Sequence, residues 1–227
     1  QAIENLISIK KKSYIVAVNV DVVLKIEIDT YLKEITDNAD LVLVDGMPLI
    51  WISKWHKKPV KTKISGSDLV PLLCKKAAQE GYSIFIIGGA NGIADKAKKN
   101  LKKSMPKINV VGTYAPPYGF EKNIQELDKI NIMITNAHPD LLIACFGCPK
   151  QEKWIYENYK KYDATVSICA GATVDFLAGN VRRAPTWMSN HGLEWFYRFM
   201  QEPKRMFKRY FIDDVKNGKV QSEKHCL

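Results

Sequence analysis

The chain has 227 residues, a formal net charge of +10, and 46% hydrophobic against 26% charged residues. That length supports one good core or two small ones, and no run reaches the roughly 18 uninterrupted apolar residues that a membrane span needs. Five cysteines, an odd number set mostly in or beside apolar runs, argue against a disulfide framework and for a reducing compartment.

The first residues, "QAIENLISI", read as a helix, without an initiator Met or the pattern of a signal peptide. Six short runs follow along the chain: "YIVAV", "LVLV", "IFII", "INVVG", "LLIACF" and "TVSIC". They are continuous rather than alternating in polarity, as strands covered on both faces are. Helical segments separate them. "SDLVPLLCKKAAQEG" is the clearest, with Leu69, Leu72, Leu73 and Ala77 at helical spacing, a Ser/Asp start, a proline in its first turn and Gly81 as its stop. "NGIADKAKKNLKK" and "QEKWIYENYKKY" repeat the pattern. The alternation predicts an α/β fold: a Rossmann-like, mostly parallel sheet with helices on both faces.

After about residue 178 the composition changes. "RRAPTWMSNHGLEWFYRFMQEPKRMFKRYF" holds seven Lys or Arg against two Glu, interleaved with aromatics and Met. The expected division is a catalytic domain over 1–178 and a basic, aromatic helical appendage over 179–227. Leu193, Phe196, Tyr197 and Met200 fall at helical spacing, as do Met206, Phe207, Tyr210 and Phe211 beyond Pro203, which should split the segment into two short helices. The last residues read as a polar, disordered tail.

In a doubly wound sheet, ligands bind beyond the carboxyl ends of the strands. Those ends carry Asn19, Asp45, the Gly88-Gly89 turn with Gly92, "GTYAPPYGF", "FGCPKQEKW" and "AGATVDF". All six offer glycine or a compact polar group, so one rim of the sheet is read as the site. Each piece also has a plain structural reading. "GGANG" serves either as an anion-binding turn or as a tight strand–helix connection. Asp45 and Asp175 serve either as site carboxylates or as helix caps and braces. Gln151 and Glu152 suit a first helical turn as well as a ligand.

Several chemistries lose ground. Neither G-x-G-x-x-G nor a P-loop is present. The histidines are scattered from any nucleophile, and Cys145 and Cys148 lack a second pair at zinc spacing, which leaves them as a buried strand residue and a small loop residue. No D-x-D occurs, so a nucleotide-sugar enzyme of this sequence would stabilise its leaving group with backbone N–H groups, Lys or Arg. The net charge calls for an anionic partner. The helical, apolar-faced setting of the basic C-terminal residues favours a membrane surface over nucleic acid.

The motifs "VDGMPL", "SGSDLVPLL", "IIGG", "GTYAPPYGF", "GCPKQEKW", "GATVDFLAGNVRRAPTWM" and "GLEWFYRFMQEPKRMFKRYF", in this order, resemble the WecG/TagA/CpsF family of bacterial glycosyltransferases from about Tyr14 to Phe211. The resemblance implies an inverting, metal-free transfer from a UDP-sugar to a polyprenyl-diphosphate-linked sugar. The protein would be cytoplasmic and peripheral on the inner face of the cell membrane, with no cofactor besides the donor. It implies Asp45 as the general base. It places Gln151 and Asp175 near the nucleotide and the "PKQEKW" loop on the donor; with the strand-end rim, the expected donor and nucleotide residues are Asn19, Lys63, Gly88, Gly89, Tyr118, Phe146, Gly147, Lys150, Gln151 and Asp175. Arg198, Arg205 and Arg209 are expected to reach the acceptor diphosphate, and self-association of the chain is expected from its aromatic surfaces. Two positions depart from the family. Ala17 replaces a frequent Thr, and Lys63 stands near a frequent Arg, giving up a bidentate fork. The competing readings are a nicotinamide-dependent oxidoreductase and a non-catalytic protein of the membrane surface.

Overall fold

The computed structural model describes residues 1–201 and 203. Its six strands are β1 (Ser13–Val18), β2 (Leu41–Val44), β3 (Ser83–Gly88), β4 (Asn109–Tyr114), β5 (Leu141–Cys145) and β6 (Val166–Cys169). All pair in parallel, in the order β2-β1-β6-β5-β3-β4. Each coincides with one of the six apolar runs, and the sheet is wholly rather than mostly parallel.

The helices are α1 (Ala2–Ser8), α2 (Val20–Ile26), α3 (Thr30–Asp37), α4 (Met47–Trp55), α5 (Gly66–Glu80), α6 (Ile93–Ser104), α7 (Ile124–Ala137), α8 (Lys150–Asn158), α9 (Thr173–Leu177), α10 (Thr186–Asn190) and α11 (Glu194–Gln201). Strand residues alternate between two cores because successive side chains point to opposite faces. Ile15, Ile84, Ile86, Leu141, Ile143 and Ile168 pack with α1, α5, α6 and α9 through residues such as Ile7, Val70, Ala97 and Val174. Tyr14, Val16, Phe85, Ile87, Leu142 and Ala144 pack with α2, α3, α7 and α8 through Val22, Ile35, Ile134 and Ile155. Double coverage explains why the runs are continuously rather than alternately apolar.

Two expectations about α5 change. The helix begins at Gly66 behind Ser65, whose side chain accepts from the Asp68 N–H, so Pro71 falls in the second turn rather than the first. Its buried residues include Val70, Leu73, Cys74 and Ala77, while Leu72 is exposed. The buried face is thus turned away from Leu72.

The order of winding builds the rim. From β1 across to β4, the helices that follow neighbouring strands belong alternately to the two cores: α2 after β1, α9 after β6, α8 after β5, α6 after β3 and α7 after β4. Adjacent chains therefore leave the sheet in opposite directions, the arrangement in which α/β sheets receive ligands beyond the carboxyl ends of their strands.

Candidate active site

Asp45 follows β2 directly, and its N–H donates to the Val18 carbonyl (2.7 Å), which fixes it beside the end of β1. It does not cap α4. Gly46 holds the N-cap position, with φ 133 and no side-chain cap bond. Asp45 is half-buried as a residue, and burial of its carboxyl pushes its pKa up to about 7. Glu194 and Asp68 add to the rise, while Lys63 and Arg198 oppose it.

These neighbours come from two stretches of chain, 63–68 and 194–198, far apart in sequence. Lys63 Nζ donates to Ser189 Oγ (2.7 Å) and reaches Glu194 Oε2 (3.4 Å). Asp68 accepts from Ser65 Oγ (2.6 Å) and pairs with Arg183. Arg198 on α11 sits 5.7 Å from the Phe176 ring centre. The appendage thus returns to the end of β2 and places one carboxylate and one guanidinium within electrostatic reach of Asp45. Arg205 and Arg209 lie outside the described residues, as do Met206, Phe207, Tyr210 and Phe211, the second short helix expected beyond Pro203 and the polar tail.

A second group forms after β4 and β5. Lys150 Nζ pairs with Glu121 (3.0 Å) and lies 5.1 Å from the ring centre of Tyr118, which projects fully into solvent. Phe146 turns inward against Phe120 and Trp154, with ring centres 4.8 and 5.3 Å away. It braces the loop.

Gln151 is buried, and its Oε1 accepts from the N–H groups of both Gly147 (3.2 Å) and Gly171 (3.0 Å). Its Nε2 donates to Glu152 (2.7 Å). A side chain so engaged ties the β5–α8 loop to the β6–α9 loop. Both ends of the Gln151 amide are thus engaged within the protein. Burial holds the Glu152 carboxyl above its usual range.

The glycine turn after β3 packs tightly, in keeping with the strand–helix connection that was one of its two readings. Gly88 has φ 110, and a Cβ there would lie 2.5 Å from the Cys145 carbonyl; at Gly89, one would lie 3.0 Å from Val174. What approaches these two residues closely is protein. Open space lies instead at Gly92, Gly147 and Gly171. Asn19 caps α2, accepting from the Val22 N–H at 3.0 Å. Asp175 stands in the first turn of α9, near enough to Cys145 to add to the rise of that buried thiol, which burial chiefly pushes up to about 12. Ala17 packs against the core.

The Asp45 group and the "PKQE" loop belong to β2 and β5, three strand spacings apart. At roughly 4.8 Å per spacing that is about 14 Å, suited to an elongated ligand lying along the strand ends. Asp68, Ser189 and Glu194 were not singled out from sequence. "SGSDL" and "GLEW" carried the signal, as motifs whose polar residues had no partner until the chain was folded.

A sequence model of the "Glycosyl transferase WecG/TagA/CpsF family" matches residues 1–217. The chain belongs to this family. It is a glycosyltransferase of polysaccharide synthesis. Two curated relatives are each 28% identical to it: one in Bacillus spizizenii strain W23 over 195 residues, and one in Bacillus subtilis strain 168 over 191. The first alignment covers 86% of this chain and 74% of the relative, the second 82% and 72%. Both relatives are named N-acetylglucosaminyldiphosphoundecaprenol N-acetyl-beta-D-mannosaminyltransferase.

For this WecG/TagA/CpsF glycosyltransferase, a carboxyl titrating near neutrality at a strand's carboxyl end is the arrangement that a general base requires.

Proposed function

We propose that the enzyme moves a sugar of the N-acetylmannosamine type from a UDP-sugar to a sugar held on a polyprenyl diphosphate, with inversion and without a metal ion. The observation that carries this reading is the uncapped Asp45 carboxylate, raised to about 7 at the end of β2. The relatives' names supply the acceptor class and the sugar; its uronic acid and glucose are the other donors to test.

In the proposed step, an acceptor hydroxyl gives its proton to Asp45 as its oxygen bonds to the donor's anomeric carbon. The bond from that carbon to the diphosphate oxygen breaks, and UDP leaves with the electron pair. One tuned carboxylate on the acceptor side suits a single displacement, hence inversion. Lys150, with Gly147 and the uncapped start of α8, is assigned to the donor diphosphate. Arg198, with residues 179–227 as a whole, is assigned to the acceptor and to the anionic inner face of the membrane.

The deciding experiment measures UDP release from a panel of UDP-sugars with a lipid-linked N-acetylglucosamine acceptor. Turnover should require both substrates and should fall by roughly 10²-fold or more in Asp45→Asn, with UDP affinity nearly unchanged. A folded Asp45→Asn enzyme that works at the wild-type rate would end the assignment.

A further inference from the structure

Helix α4 leads away from Asp45 and turns an apolar face outward. Ile50 is buried, whereas Trp51, Ile52 and Trp55 keep 51%, 48% and 86% of their surface exposed. Positions 51, 52 and 55 share one face at spacings of three and four. Two exposed indoles and an isoleucine beside one another are unusual on a free surface.

The segment that follows is basic. From residue 47 to residue 67 the sequence has five lysines and no carboxylate. Lys54, Lys57, Lys58 and Lys61 are exposed, and among the described residues none of the four has an ion-pair partner. The α10–α11 turn joins this surface: a Cβ at Gly192 would lie 3.2 Å from the Trp51 indole. Beyond that turn Trp195 and Phe196 are exposed as well.

We propose that α4 and the lysine segment after it form a docking surface for an anionic phospholipid bilayer. Indoles partition to the boundary between headgroup and acyl chain, and lysines around them would meet the lipid phosphates. A second copy of the chain is the poorer occupant, because pairing two such faces would bring unpaired lysines together. The surface lies at the other end of the short helix that starts beside Asp45, so docking would bring the base close to the bilayer. The inference gives the membrane contact proposed above a second surface, outside residues 179–227, and rests on that reading only for why the enzyme should meet a lipid.

The test is co-sedimentation of the full chain with phosphatidylcholine vesicles, with and without phosphatidylglycerol. Wild type should bind only the anionic vesicles, less so at high salt. Trp51→Ser with Trp55→Ser should lower partitioning by roughly tenfold or more. Lys54, Lys57, Lys58 and Lys61, all exposed, changed together to Gln should lower sedimentation with phosphatidylglycerol vesicles by roughly tenfold. Both variants should release UDP at the wild-type rate with a water-soluble acceptor. Wild-type sedimentation of the two variants would overturn the proposal, as would a switch from dimer to monomer in the Trp variant with vesicle binding intact. Absence of transfer by wild type in solution would count against the proposed reaction and leave the vesicle result standing.

Discussion

Asp45 shows how one residue changes meaning once its neighbours are fixed. In the sequence it precedes an apolar helix and reads as a cap; in the fold, Gly46 takes the N-cap position and the carboxylate is left facing Glu194, Lys63 and Arg198. Its pKa rises from the ordinary 3.8 to about 7, so the folded chain holds this proton more tightly than the unfolded one. Folding stability contributed by this group is therefore present below about pH 4 and is lost as pH rises to about 7. Asp45→Asn should melt higher than wild type at pH 8 and close to it at pH 4, by calorimetry. Turnover should follow the opposite course, rising through about pH 7 as the carboxylate forms. A variant that melts lower than wild type at pH 8 would restore a structural role. The candidacy of Asp45 was legible in sequence; its freedom from capping was not, because that depends on the φ of Gly46.

At the scale of elements, the six strands were legible because β-branched runs buried on both faces leave little else for such segments to be. The start of α5 was less so. Ser65, Ser67 and Asp68 all suit a helix start, and only the bond from the Asp68 N–H to Ser65 chooses between them. The "PKQE" loop was legible as part of the rim, but its inward-turned Gln151 was not, since both of its backbone donors are glycines in loops after different strands. Gln151→Ala would strand two part-buried N–H groups at about 1 kcal/mol each, the lower end for such losses. It should lower the melting temperature and weaken UDP binding together. Lys150→Ala, whose ammonium sits near the surface beside Glu121 and Tyr118, should weaken UDP binding and leave melting nearly unchanged. Equal melting of the two variants would remove Gln151 from its role as a tie between loops. Because the donor diphosphate is assigned to Lys150 and the N-terminal end of α8, turnover should also persist in excess EDTA. Loss of activity restored by Mg²⁺ or Mn²⁺ would refute that assignment.

At the scale of the whole molecule, strand order was the part that sequence withheld. Continuous apolar strands do not say which of their neighbours they join, and the placement of β6 between β1 and β5 is a property of the packed sheet. The same packing brings α11 back to the end of β2, although α11 lies some 150 residues further along the chain and buries none of its own residues. Its hold on that end includes Lys63, which meets Ser189 and Glu194. The appendage therefore sets the charge around Asp45 from a distance in sequence, and that charge is open to test. Glu194 raises the Asp45 pKa and Lys63 lowers it. Glu194→Gln should move the acid limb of the kcat profile to lower pH, both by removing a negative neighbour and by releasing Lys63 to face Asp45. Lys63→Met should move it to higher pH. A general loss of folding would lower the rate at every pH without displacing the limb. Limbs that stay at the wild-type pH in both folded variants would mean that another group governs the profile, and Asp45 would lose its place as the base.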